Sequence, residues 1–435
     1  MMTQRDASGR GHVRKAGDRA LILFAAAALG LGTLMGPAAA REGFERGINL
    51  LRPFNLPALD ERGEPRDPPF THPHARISDA ELNRLTVVGF DHVRLPIAPG
   101  VFIDAPPKRR TRLDADLERF VGRLGEAGLN VVLDPHPMPG PRRWAPDRIL
   151  AVPGGERYRA YREFLGHLAR FAARRPRGTT MLGLMNEPQR ECRRRDGPDW
   201  TEIQRDLHAV ARTNAPDVPL LLTVGCWASI DALPYLRMEG YDADTLVEIH
   251  FYEPYAFTHQ SPRWAPAPFR YIAGLAYPAR EGGIARTMRL SERWQEELRR
   301  LGETGRPDRG RLRREVARYH LRERAGRAAV DSRFDEIARW AEKNGIAPSR
   351  IYLGEFGAWR LQPPLEGIND ADRVRWLRDV REAAEARGFG WAHWEYTSPF
   401  GIIADDEMRT LDSSTIKALG LGPVDNGRTA RGPGE

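Results

Sequence analysis

Short apolar runs recur along this chain, and between them the apolar positions change to helical spacing. The first run is Gly47-Ile48-Asn49-Leu50, followed by a proline-rich loop from Pro53 to Pro73. Ser78 and Glu81 have capping-box spacing, which predicts a helix start. Asp91–Pro96 is the second predicted strand. Leu117, Phe120, Val121 and Leu124 then repeat at helical spacing, and Gly128 marks the stop. Asn130–Asp134 is the third strand, running into Pro135 and His136. Tyr161, Phe164, Leu165 and Leu168 mark another helix. The fourth run, Leu182–Pro188, ends on a polar pair, Asn186 and Glu187, closed by Pro188.

The second half keeps this rhythm. Thr201–Ala211 predicts a helix, and Pro219–Val224 and Thr245–Phe251 predict strands five and six. Residues 256–328 depart from it. Aromatics and prolines come first, then an arginine-rich helical stretch through Trp294, Leu298, Leu301, Leu312 and Val316. This is an insertion with a solvated basic face, either a lid over a pocket or surface decoration. Phe334, Ile337, Ala338 and Ala341 resume the helical pattern up to Asn344-Gly345. Arg350–Gly354 is strand seven, followed by Glu355. Val374, Leu377 and Ala384 mark a helix ended by Gly388, and Gly390–Trp394 is strand eight. Eight strands separated by helices predict an α/β fold, a (β/α)8 TIM barrel with a long helical insertion after strand 6. A doubly wound sheet would place a glycine-rich turn after its first strand, where this chain has prolines. The barrel domain is expected over 41–420, with 421–435 as a flexible tail.

Charge and cysteine content refine this picture. The net charge is +8, of which the first 40 residues supply +3 through five basic and two acidic side chains. Arg10, Arg14, Lys15 and Arg19 precede an uncharged stretch, Ala20 to Ala40, that ends in small residues before Arg41. That pattern is expected of a signal peptide, or of an anchor if it stays uncleaved. The body should then be soluble, monomeric and periplasmic or extracellular, with no stable membrane association after cleavage. Its arginines are interleaved with acids, which argues for a solvated surface rather than a nucleic-acid footprint. Cys192 and Cys226 follow strands four and five. They are either bridged across adjacent loops or two separate thiols. No Cys/His pair has ligand spacing, so no metal site is expected, and no cofactor.

The candidate chemistry lies at one end of the strands. Strand two carries Arg94, three ends at His136, four at Asn186 and Glu187, six at His250 and Tyr252, seven at Glu355 and eight at Trp394. In a barrel these positions converge on the C-terminal face, where active sites form. Two strand-end glutamates suggest a paired-carboxylate site.

The motifs Val93-Arg94-Leu95-Pro96, Asn186-Glu187-Pro188, His250-Phe251-Tyr252 and Gly354-Glu355-Phe356-Gly357, in this order, resemble the cellulase-like enzymes of glycoside hydrolase family 5. The resemblance covers about Gly47 to Trp394. It implies a retaining β-glycosidase with Glu187 as acid/base and Glu355 as nucleophile, supported by Arg94, His136, Asn186, His250, Tyr252 and Trp394. It implies a polysaccharide substrate, a β-glucan first. β-Mannanase or exo-β-glucosidase action, or a silent carbohydrate-binding barrel, are the alternatives. Trp227 and Trp264, with Trp394, are expected to offer flat rings to sugar faces.

Overall fold

A computed structural model describes residues 41–138, 142–189, 200–368, 370–405 and 407–423. The N-terminal segment 1–40, Cys192 and most of the expected tail lie outside the described residues. All eight apolar runs form strands: β1 Arg46–Asn49, β2 His92–Ile97, β3 Asn130–Pro135 and β4 Thr180–Gly183. They continue with β5 Leu220–Thr223, β6 Thr245–Phe251, β7 Ile351–Phe356 and β8 Gly390–His393. Each pairs in parallel with the next, and β8 pairs back onto β1, so the sheet closes as a barrel.

Helices cover the barrel as the periodicity requires. They are α1 Asp79–Val88, α2 Pro107–Glu126, α3 Glu156–Ala173 and α4 Trp200–Asn214, then α5 Ile284–Arg300, α6 Arg309–Arg318, α7 Arg327–Lys343 and α8 Ala371–Glu385. The predicted capping box starts α1: Ser78 Oγ accepts from the Glu81 N–H, and the Glu81 carboxylate accepts from the Ser78 N–H. Past the end of α2, Gly128 adopts φ +77°, a left-handed position that suits glycine. Several elements were not foreseen, among them short helices at Pro99–Ile103 and Pro146–Ile149, a 3-10 turn Ile230–Tyr235 after β5, a two-stranded sheet of Ile403–Asp405 and Thr410–Leu411, and a final short helix Ser413–Ala418.

Strand periodicity of two sorts the side chains. Val132, Met181, Leu221, Leu246, Tyr352 and Ala392 meet one another and Phe44 inside the barrel as an apolar plug. Their neighbours Val131, Leu133, Leu182, Leu220 and Val247 pack into the helical layer. Two residues further along, the inward positions turn polar: Asp134 on β3 and Glu248 on β6 are buried.

The insertion is less of a lid than its position suggested. Trp294, Leu298, Leu312, Val316 and Tyr319 are buried, with Trp294 Nε1 donating to Arg270 O at 2.8 Å and Tyr319 OH to Ala276 O at 2.6 Å. Helices α5 and α6 thus pack their apolar sides inward and leave arginines outside. Neither lines the large cleft at the C-terminal end of the strands. Of residues 256–328, His259, Trp264 and Pro266 reach it, beside Tyr252, Glu253 and Tyr255 from the segment just after β6.

Candidate active site

Arg94 is fully buried and organises the floor of the cleft. Its Nε donates to Glu248 Oε1 at 2.9 Å, Nη1 to Asn49 Oδ1 and Glu355 Oε1 at 3.0 Å each, and Nη2 to Asn186 Oδ1 at 2.8 Å. Asp134 Oδ2 lies 3.0 Å from Nη1. A guanidinium can serve this many acceptors because its donors form a rigid planar fork. Burial alone would lower the arginine's pKa, but Asp134, Glu248 and Glu355 raise it, so the cation persists. In return, although burial opposes it, Arg94 and His250 hold Glu248 ionised, lowered to about 2.

Gly354 makes this approach feasible. A Cβ there would sit 2.0 Å from Glu248 Oε1. The β7 register also shifts between Leu353 and Phe356, and the irregularity places Glu355 opposite His250 of β6. The predicted strand end at Gly354 therefore falls short by two residues, and Glu355 lies within the strand.

Glu187 differs from its expected place in the other direction. Strand β4 stops at Gly183, and Asn186 and Glu187 sit on the turn beyond it. Glu187 has φ +38°, a strained position for a residue with a Cβ. Two backbone bonds hold this turn: Asn186 N–H to Pro135 O at 2.9 Å, and Trp227 N–H to Pro188 O at 3.3 Å. The Glu187 side chain keeps 22 % exposure, whereas Glu355 keeps 5 %. One is open to the cleft and the other is enclosed.

His250 joins the two carboxylates. Its Nδ1 donates to Glu187 Oε1 at 3.0 Å and stands 3.6 Å from Glu355 Oε2. One ligand-capable atom from each of Glu187, His250 and Glu355 falls within 4.8 Å of the others. Such a trio could hold a cation by distance alone. Although burial disfavours the imidazolium, Glu355 and Glu187 raise His250 to about 10, so the ring is held as a cation between the two carboxylates. The donors on Glu355 point the same way: Arg94 takes Oε1, and Tyr252 OH donates to Oε2 at 2.8 Å. Burial raises the Glu355 pKa, with Glu187 adding to it and His250, Arg94 and His136 opposing. Burial and the Glu355 charge keep the Tyr252 phenol protonated.

The amide orientation of Asn186 follows from its partners. Its Oδ1 accepts from Arg94, so Nδ2 faces His136 Nε2 at 3.2 Å. His136 Nε2 then accepts, and Nδ1–H donates to Asp134 Oδ2 at 2.7 Å. The Trp394 ring stacks on His136 with centroids 5.7 Å apart. All six supporting positions inferred from the resemblance therefore converge on the glutamate pair.

The cleft above them has a volume of about 1130 Å³, larger than a small-molecule pocket needs. Trp227 and Trp264 both line it and remain 52 % and 58 % exposed, as flat binding surfaces would be. Trp227 lies in an unusual turn, with Cys226, Trp227 and Ala228 all near φ +57°. Cys226 is disulfide-bonded, and its expected partner Cys192 lies outside the described residues.

Sequence reasoning missed Asn49, Asp134, Glu248 and Glu395. Two of them carried a legible signal. Asp134 precedes His136 by two, and Glu248 precedes His250 by two, so each shares its strand face with a residue already singled out.

A family model described as cellulase (glycosyl hydrolase family 5) matches residues 71–399. Endoglucanase 3 of Fibrobacter succinogenes is 25% identical over 256 residues, 59% of this chain, and the aligned part spans only 35% of that relative. Endoglucanase C of Acetivibrio thermocellus is 23% identical over 353 residues, covering 79% of this chain and 90% of its own length. Among solved structures, endoglucanase Cel5A of Thermotoga maritima superposes with a TM-score of 0.60 at 22% identity, covering 87% of this chain and 98% of its own, which is agreement of fold.

Proposed function

The chain belongs to glycosyl hydrolase family 5 and is a glycoside hydrolase acting on O-glycosyl bonds, and from that premise we propose that it cleaves a β-linked glucan by double displacement. The observation that carries this reading is the pair Glu187 and Glu355, with oxygens within 4.8 Å and His250 between them. Retaining glycosidases hold their carboxyls about 5–5.5 Å apart, whereas inverting ones leave about 6.5–9.5 Å for a water.

In this mechanism Glu187, on the open side, donates a proton to the glycosidic oxygen as the leaving sugar departs. Glu355 attacks the anomeric carbon and forms a glycosyl ester. Arg94 and Tyr252 aim its two oxygens and stabilise the anion before attack. Glu187 then takes a proton from water, which attacks the same carbon and frees Glu355. The second Asn186 Nδ2 hydrogen is available to the sugar's 2-hydroxyl, a contact that strengthens in the transition state. The size of the cleft and the exposed Trp227 and Trp264 support a polymer over a disaccharide, and the endoglucanase names of the relatives point to β-glucan.

The test is reducing-sugar release from β-1,4-glucan, β-1,3-glucan, mixed-linkage glucan, mannan and xylan, with Glu355→Gln as control. Release from a glucan, lost in the control, supports the proposal. Release from mannan alone, or from none of the panel, sinks the glucan assignment.

A further inference from the structure

The net charge of the chain beyond residue 40 sits in one place. Residues 41–435 carry +5, and the stretch 306–324 alone holds eight arginines against three acids, which is also +5. Everything else in that span is neutral in sum. The three acids of the stretch are already engaged. Asp308 caps α6 by accepting from the Arg311 N–H at 2.8 Å, and Glu315 and Glu323 both pair with Arg318. Arg309 pairs with Glu292 at 2.8 Å. Arg306, Arg311, Arg313, Arg314, Arg322 and Arg324 are exposed and form no ion pair among the described residues. Nearby arginines outside the stretch behave differently: Arg299 pairs with Glu296 at 2.7 Å and Arg327 with Glu382 at 2.6 Å.

The fold turns this stretch outward. Leu312 and Val316 are buried, so Arg311, Arg313 and Arg314 fall outside the packed side of α6. The chain runs on into one turn of π-helix, Tyr319–Glu323. Tyr319 is buried with its hydroxyl on Ala276 O, and His320 is held by Ala279 O and Thr287 Oγ1 at 3.1 Å each. With these two pinned inward, Leu321 is left 63 % exposed beside Arg322 and Arg324. It is the one large apolar side chain exposed in the stretch.

Six unneutralised arginines around a protruding leucine select a partner that is anionic and also accepts an apolar group. Sugar chains and single-stranded nucleic acids are held on flat rings, but Tyr319, the only Phe, Tyr or Trp here, is buried. A phospholipid surface offers phosphates to guanidinium forks and, beneath them, an acyl boundary for a leucine. We propose that residues 306–324 form a docking face for an anionic phospholipid surface, with the arginines among the headgroups and Leu321 at the acyl boundary. No residue of this face lines the cleft, so lipid and polymer do not compete for the same side chains. Each arginine near such a surface adds about fivefold in affinity, and the attraction fades within a Debye length, about 10 Å at 0.1 M salt. Binding of this kind is reversible, unlike a membrane span, and it is independent of which glycan the cleft takes.

The experiment is co-sedimentation with vesicles of phosphatidylcholine alone or with about 40 % phosphatidylglycerol, at about 0.05 and 0.5 M NaCl. The chain from Arg41, which contains the complete closed barrel, is used so that residues 1–40 contribute nothing. Wild type is expected to bind the anionic vesicles at low salt at least tenfold more tightly than the neutral ones, and to release at high salt. The triple variant Arg311→Gln/Arg313→Gln/Arg314→Gln should bind about 10²-fold more weakly, and the matching triple lysine variant within about threefold of wild type. Leu321→Ser should weaken binding about tenfold. All three variants change exposed side chains and should keep the wild-type melting temperature and turnover. The proposal is overturned if wild type ignores anionic vesicles, binds both kinds equally, or binds without regard to salt, and equally if the glutamine and Leu321→Ser variants bind as wild type does. Wild type that is retained by polygalacturonate but not by anionic vesicles has an acidic polymer as its partner, and that result overturns the lipid assignment too. Should the glutamine variant fail to fold, the salt and Leu321→Ser arms decide the matter alone.

Discussion

Replacing Arg94 with lysine keeps a buried positive charge and removes the fork that distributes it. Arg94 makes four side-chain hydrogen bonds, to Glu248, Asn49, Glu355 and Asn186, over 2.8–3.0 Å. An ammonium is a point donor and can satisfy about two of these from one position. Losing one bond to a carboxylate and one to an amide costs about 3 kcal/mol, taking roughly 1.5–3 for the charged bond and 0.5–1.5 for the neutral one. In a barrel of this size the melting temperature should fall by roughly 3–5 °C without loss of the fold. The kinetic effect should be larger, because Glu355 loses the donor that aims Oε1. A misplaced nucleophile of this kind costs about 10²-fold in kcat. The sign of the pH effect is also fixed. Weakening the contact with the cation raises the Glu355 pKa, so the acidic limb of kcat/KM moves toward neutrality, by about one unit for each 1.4 kcal/mol lost. The assay is kcat/KM on the best polymer from pH 4 to 9, with thermal unfolding measured in parallel. An Arg94→Lys enzyme with wild-type kcat and an unmoved acidic limb would refute the role given to Arg94.

Three further outcomes are expected. Glu187→Gln should lower turnover of natural glycosides by about 10²–10⁴-fold while sparing aryl glycosides with good leaving groups; an equal loss on both substrate types, measured side by side, would remove Glu187 from the acid/base role. Trp227→Ala and Trp264→Ala should each raise KM for polymer about tenfold, in keeping with about 0.5–1.5 kcal/mol per stacked ring plus its buried area, and leave small aryl glycosides little affected; unchanged polymer KM in both variants would move the sugar path elsewhere. His250 has its folded pKa raised to about 10, above the ordinary value of about 6.5, so its contribution to stability is complete below about pH 6.5 and is lost as pH rises through 10. Wild type should therefore lose more melting temperature between pH 6 and 10 than His250→Gln does, and parallel curves would contradict the charge assigned to His250.

Local pattern alone was enough for much of this architecture. Ser78 and Glu81 announced α1 because a capping box is made within four residues. The runs at Val131–Leu133 and Leu246–Ile249 announced strands because both faces of a parallel barrel strand are buried, one in the plug and one under helices. Their polar ends, Arg94, His136, Glu187, His250, Tyr252 and Glu355, could be aligned because every strand of such a barrel points the same way, so one register question answers all eight. What local pattern could not decide was anything requiring two distant segments at once. The pairing of Glu248 with Arg94 spans 154 positions and depends on the missing side chain at Gly354. The left-handed turn that presents Glu187 is held by Pro135, at the end of β3, and by Trp227, in the turn after β5. The basic insertion shows in its composition that one face is wet, but only its packed Trp294 and Tyr319 reveal that α5 and α6 lie away from the cleft. Glu395 carries no motif of its own, and its burial just beyond β8, which closes onto β1, shows only in the folded chain. Capping hydrogen bonds and backbone propensities act over a few residues and are written in the sequence. Desolvation and charge pairing depend on what the whole fold brings within a few ångströms, and only the closed barrel supplies that.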